Sequence, residues 1–192
     1  MILKERLERQ NLESQGFMLN KMRILIRKAK KGDGKAFCEY WNEGLKRKFF
    51  VYNGGNQLRK KKDIAKADKR YASQDKHNMA FLALDKETGK IIGACSYFGK
   101  GTGRTRHRVE LGWSVHPDYV GKGIATSLLG EALKVAKKKG FRRAEAEAAV
   151  ENVASVKLAK KCGFKIEGKR KAGLLLDNGK YVDTYLFGKL LK

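Results

Sequence analysis

Residues able to do chemistry gather around one stretch of this chain. Gly121-Lys122-Gly123 stands between an extended run, Val109 to Val115, and an apolar pattern that starts at Ile124. Ile124, Leu128, Leu129, Ala132, Leu133, Val135 and Ala136 recur at helical spacing, so the glycines open a helix. Glycine lets the backbone approach a ligand with no Cβ in the way, and the free N–H groups of a helix N-terminus bind phosphate oxygens. Two glycines before a helix also make an ordinary turn, but in this place they suit a pyrophosphate. Glu110, His107 and His116 lie on or beside the same extended run. A carboxylate or imidazole at a cleft can take the proton of an incoming ammonium, whose pKa is roughly 10.

Two familiar phosphate-binding frames do not fit. There is no Gly-x-x-x-x-Gly-Lys-Ser/Thr, and Thr126 stands where a dinucleotide fingerprint would place its third glycine. What the stretch resembles is the acetyl-coenzyme A loop of the GCN5-related N-acetyltransferases, Arg/Gln-x-x-Gly-x-Gly/Ala. That frame falls on Val120, Gly123 and Ala125. Glu110-Leu111-Gly112-Trp113-Ser114-Val115 is similar to that family's fourth strand. Asn152-Val153-Ala154-Ser155 with Cys162-Gly163-Phe164 is similar to its Asn-x-x-Ser helix closing in Gly-Phe. Tyr181 to Leu186 resembles the last strand of the branch containing ribosomal-protein and phosphinothricin-type acetyltransferases.

The resemblance implies direct attack of an amine on the thioester of acetyl-CoA, with no metal. The acceptor is a protein N-terminus, a small amine or an amino acid. The cofactor would lie on Val120, Gly121, Lys122, Gly123, Ile124, Ala125 and Thr126, with Asn152 bonding its amide while capping a helix. Trp113, Ser114 and Val115 would contribute through main chain, and the N–H of Val115 or its neighbour would polarise the carbonyl. Lys157, Lys160 and Lys161 are within reach of the 3′-phosphate. Glu110 takes the place of the base in phosphinothricin-like members; its structural alternative is a pair with Arg104, Arg106 or Arg108.

Two departures stand out. Val120 replaces the usual Arg or Gln, although a backbone N–H from valine would still serve. Ala159 replaces the tyrosine that protonates the leaving thiolate, so Tyr181, Tyr185 or solvent must do so. Tyr40, Trp41, Phe49, Phe50, Tyr97, Phe98 and Tyr185 are candidates to line the acceptor cleft or to pack in the core.

Length and composition bound the remainder. A chain of 192 residues, 42% hydrophobic and 33% charged, suits one domain with a real core. No apolar run approaches the length of a membrane span and the first residues lack an apolar leader, so a cytoplasmic protein is expected. Cys38, Cys95 and Cys162 lack metal-ligand spacing and are odd in number, which favours quiet thiols. The net charge of +24 is spread over several clusters. It is either a solvated surface or one that attracts RNA or the ribosome. A non-catalytic CoA-binding protein, associating with RNA or ribosome through that surface, is therefore the alternative to the enzyme. The resemblance admits a monomer or a homodimer.

The expected class is α/β (α+β): a single domain over residues 22–192, preceded by a helical or loose arm at 1–21. Its sheet has about seven strands, mostly antiparallel, flanked by helices. The strands fall near 22–27, 79–84, 90–98, 109–115, 142–150, 165–171 and 180–186. Helices fall near 33–48, 56–75 and 123–139, and after Asn152.

Overall fold

The computed structural model describes residues 23–47, 58–99 and 101–192. The expected N-terminal arm, Phe49 and Phe50 lie outside them. Among the described residues the elements run β1 (Ile24–Lys28), α1 (Gly34–Lys46), α2 (Lys61–Ala72), β2 (Asn78–Asp85), β3 (Ile91–Gly99) and β4 (Arg108–Val115). They continue with α3 (Ile124–Lys138), β5 (Arg143–Ala149), α4 (Val153–Lys161), β6 (Lys165–Leu175) and β7 (Tyr181–Leu190).

The seven strands form one sheet in the order β1-β2-β3-β4-β5-β7-β6. Every pairing is antiparallel except β4 with β5. Alternation along the strands supplies both faces with apolar groups. On β2, Met79, Phe81 and Ala83 join Leu128, Leu129 and Ala132 of α3 in the larger core. Ala80 and Leu82 turn the other way, to Tyr40 and Trp41 of α1 and Tyr71 of α2. The sheet is thus sandwiched between α1/α2 and α3/α4. Leu128 and Leu129 have no exposed surface, and truncating such a side chain costs about 2–5 kcal/mol.

Local chemistry sets the connections. The β2–β3 turn closes on Asp85, whose Oδ1 accepts from the Glu87 N–H at 2.8 Å. In the β6–β7 turn Gly179 takes φ +80°, and Asn178 Oδ1 accepts from the Lys180 N–H at 3.1 Å. Strand β6 outruns its expected end at Lys171. A bulge between Arg170 and Leu174 breaks the period-2 pattern there, and Ala172, at φ +48°, gives its N–H to Asp183 at 3.0 Å. Helix α2 is shorter than the polar stretch suggested, starting where Asp63 accepts from the Lys60 N–H at 2.8 Å. At the start of α1, Asp33 accepts a fork from Arg27 at 2.7 and 2.8 Å and the Lys30 N–H at 2.8 Å. Burial raises the Asp33 pKa, but these donors outweigh it and hold the group below its ordinary value.

Candidate active site

Strands β4 and β5 pair only at their bases, over Arg108–Glu110 against Arg143–Glu145. Beyond that, β4 continues along β3 to Val115 and β5 continues along β7 to Ala149, so a wedge opens in the sheet. Two guanidiniums fasten its base: Arg108 donates a fork to both oxygens of Glu145 at 2.9 and 2.8 Å, and Arg143 Nε donates to the same carboxylate at 2.7 Å. Burial pushes the Glu145 carboxyl up, yet the two guanidiniums bring its pKa below the usual value.

The register says which main-chain groups face the wedge. The His116 N–H donates to the Ile92 carbonyl on β3 at 2.9 Å. Alternation then turns the peptide groups of Ser114, Gly112 and Glu110 towards β3, and those of Val115, Trp113 and Leu111 towards the wedge. This corrects the expectation for Ser114, whose main chain belongs to the ladder. Its side chain contributes instead, accepting from the Tyr40 hydroxyl at 2.8 Å. Burial pushes that phenol far above its ordinary pKa.

A groove of about 680 Å³ runs from the wedge to the start of α3. Val120, Gly121, Gly123, Ile124, Ala125 and Thr126 all line it. Gly121 and Gly123 take φ +82° and +77°, which L side chains adopt only under strain. The first bond into the helix is from the Ser127 N–H to the Gly123 carbonyl at 3.1 Å, so the N–H groups of Ile124, Ala125 and Thr126 precede the ladder and suit an anion. Val120 departs from expectation: its N–H donates to the Pro117 carbonyl at 3.3 Å, closing the turn Pro117–Tyr119. Lys122, expected among the cofactor-binding residues, does not line the groove; its ammonium lies over the Tyr119 ring at 4.8 Å. Lys157 and Lys161 line the groove. Arg47, which the sequence reading missed, does so too while pairing with Asp118 at 2.7 Å.

On the α1/α2 side of the sheet lies a second cavity of about 340 Å³. Trp113, Ser114, Asn152 and Ser155 line both spaces, so the two meet at the wedge. Asn152 Oδ1 accepts from the Ser155 N–H at 3.1 Å, capping α4 with only the oxygen of its amide. Glu110 lines the second cavity, opposite Phe98 in the β3–β4 register. Of the arginines near it in sequence, Arg108 holds Glu145 and Arg106 donates to the Gly103 carbonyl at 2.7 Å.

Glu147, Arg59 and Arg70 also line this cavity, and none was singled out from the sequence. Glu147 had a signal: Ala144-Glu145-Ala146-Glu147-Ala148 alternates with period 2, placing both carboxylates on one face. It accepts from Arg170 at 2.7 and 2.6 Å and from the Thr184 hydroxyl.

Of the aromatic candidates, Trp41 and Phe98 line the cavity and Tyr40 supports Ser114. Tyr97 is fully buried on the opposite face, against Phe141, where burial pushes its pKa up to about 12. Tyr185 packs edge-on against Phe187, and Tyr181 is exposed at the start of β7; neither lines either space. Ala159 has no exposed surface and sits in the larger core, so its place holds no acid. His116 is buried and caps its turn, accepting from the Asp118 N–H at 3.3 Å; His107 is exposed. No cluster of metal-ligating side chains occurs among the described residues.

Residues 23–165 match the acetyltransferase (GNAT) domain family. An uncharacterized N-acetyltransferase, p20, of Bacillus licheniformis is 27% identical over 177 residues, spanning 88% of this chain and 93% of that protein. The L-amino acid N-acyltransferase MnaT of Escherichia coli is 29% identical over 145 residues, 72% of this chain and 78% of its own length. Among solved structures, a GNAT-family acetyltransferase from Streptococcus pneumoniae superposes with a TM-score of 0.77. It is 30% identical and covers 87% of this chain and 99% of its own.

Proposed function

Because the chain belongs to the acetyltransferase (GNAT) domain family, we propose that it transfers acetyl from acetyl-CoA to a primary amine, with Glu110 as the base. The observation that carries this reading is the junction of two cavities at the β4–β5 wedge. One is built for an anion and a chain of amides, the other for a polar acceptor, and they share Trp113, Ser114, Asn152 and Ser155.

The residues fit the donor. The N-terminus of α3 and the two glycines cradle a pyrophosphate. The peptide groups of Leu111, Trp113 and Val115 face the wedge, where an amide-bearing arm can pair with them as a strand would. The donor supplies an acetyl group already activated as a thioester. The chain supplies the rest: Trp113 and Val115 offer N–H groups to polarise a carbonyl without reorganisation, and Glu110 takes the amine's proton, directly or through water. With Ala159 buried and Tyr181 and Tyr185 placed elsewhere, the thiolate takes its proton from solvent. Its pKa of roughly 8.5 makes that step undemanding.

The acceptor carries a primary amine on a small molecule or an N-terminus, and the reaction belongs in the cytoplasm, where acetyl-CoA is available. Calorimetric titration with acetyl-CoA, followed by thiol release against amino acids, small amines and peptides, tests the proposal. Micromolar binding, a rise in Tm with ligand and turnover of one acceptor class are expected. Binding of acetyl-CoA without turnover of any amine would favour the non-catalytic alternative, and absence of binding would overturn the assignment.

A further inference from the structure

The described arginines differ in what they hold. Arg27, Arg47, Arg108, Arg143 and Arg170 each grip an aspartate or glutamate. Arg59 and Arg70, both in the wall of the cavity that contains Glu110, have no acidic partner among the described residues. Their guanidiniums are nevertheless fixed. The Arg59 carbon lies 4.8 Å from the Trp41 ring centroid and that of Arg70 lies 4.9 Å from the Phe98 centroid. Arg70 also donates to Ser96 Oγ at 3.0 Å, and Asn42 holds the Arg59 backbone from both sides at 2.7 and 3.0 Å.

Stacking uses the faces of a guanidinium and leaves its donating edge for another group. Arg59 Nε is buried with no acceptor, and a buried donor in that state is costly. Burial against the ring, with the nearby Arg59 charge adding to it, pushes Arg70 below its ordinary pKa although it remains protonated. Two held cations that face one cavity and make no ion pair among the described residues form a recognition site for an anion.

We propose that the acceptor is an amine bearing its own carboxylate, a free amino acid, with Arg59 and Arg70 gripping the carboxylate while Glu110 receives the amine. The placement follows from the sheet: Phe98, under Arg70, stands directly opposite Glu110, so the Arg70 guanidinium is stacked on the cross-strand neighbour of the proton-accepting group. A peptide N-terminus carries an amide at the corresponding place and leaves both guanidiniums without an anion. The inference rests on the acetyl-transfer reading of the site.

The test compares amino acids with their α-amides as acceptors, in the wild type and in Arg70→Gln, Arg59→Gln and Arg70→Lys. The wild type should prefer the acid by roughly 10- to 100-fold in kcat/KM, the range expected when a hydrogen-bonded charge loses its partner. Arg70→Gln should raise KM for the acid, leave kcat nearly unchanged and abolish the preference; Arg70→Lys should restore part of it. Acetyl-CoA affinity, measured calorimetrically, should not move, which separates this outcome from misfolding. A second readout needs no turnover: binding of N-acetylamino acids and their amides in the presence of CoA, followed by the fluorescence of Trp41 and Trp113, which both line the cavity. Preference for the acid in the wild type and its loss in Arg70→Gln upholds the anion site even if acetyl transfer proves absent. Equal handling of acid and amide by the wild type, or preference persisting in both glutamine variants, overturns it.

Discussion

The two cavities that meet at the wedge are made of different material. The groove at α3 is a main-chain site: positive-φ glycines, the first N–H groups of a helix, and the peptide edge of β4. The cavity beside α1 and α2 is a side-chain site, in which Glu110, Glu147, Arg59, Arg70 and Ser96 converge from four elements and the segment before α2. A main-chain site depends on backbone conformation more than on which side chains it carries. A side-chain site can change its ligand through one substitution.

The sharpest break of this contrast is at Gly123. Gly123→Glu places a carboxylate beside the expected pyrophosphate on a backbone at φ +77°. Acetyl-CoA affinity should fall by at least about 100-fold, since like charges brought together at an interface cost several kcal/mol. Gly123→Ala carries the backbone strain without the charge, about 1–2 kcal/mol, and should lose stability more than affinity. If Gly123→Glu binds acetyl-CoA as the wild type does, the main-chain assignment fails.

The opposite signature is expected of Glu110→Gln, which keeps the shape and removes the basicity. Acetyl-CoA should bind unchanged while turnover drops by about 10² to 10⁴. The loss should be largest near neutral pH and shrink as pH approaches the amine's own pKa of roughly 10, where the nucleophile no longer needs a base. Wild-type turnover across that range would remove Glu110 from the mechanism. Loss of folding and cofactor binding together would instead make it a structural partner.

The same division explains what could be read from the sequence. Strand β4, its turn and α3 form one continuous stretch, so spacing showed a glycine turn opening a helix, while its reading as an acetyl-CoA loop came from the family resemblance; Asn152 announced its cap. Alternation and turn residues located the strands, but β6 runs on past the bulge at Ala172 that broke the period, and β7 runs past its expected end at Leu186 to Leu190. In the second cavity Glu110, Trp41 and Phe98 were named from the sequence, but Arg59 and Arg70 were not, because they lie on a polar stretch whose pattern says only that it is solvated. Their proximity to Trp41, Phe98 and each other arises only in space. Tyr97 and Tyr185 show the converse: their type suggested a lining, but strand parity turned them into the larger core.

The smallest effect is expected where the loop departs from the family frame. Val120 is 60% exposed at the rim of the groove, and its N–H is already engaged with Pro117. Val120→Arg restores the residue usual at that place and adds a cation near the pyrophosphate. An exposed ion pair contributes only about 0.2–1 kcal/mol and is screened by salt. The gain in acetyl-CoA affinity should therefore stay below roughly fivefold at low ionic strength and fade at about 0.5 M salt. With no contact to the acceptor cavity, the variant should leave the choice among amines untouched. A hundredfold gain that persists in salt would mean that the pyrophosphate is held mainly by side chains, and the contrast between the two halves would collapse.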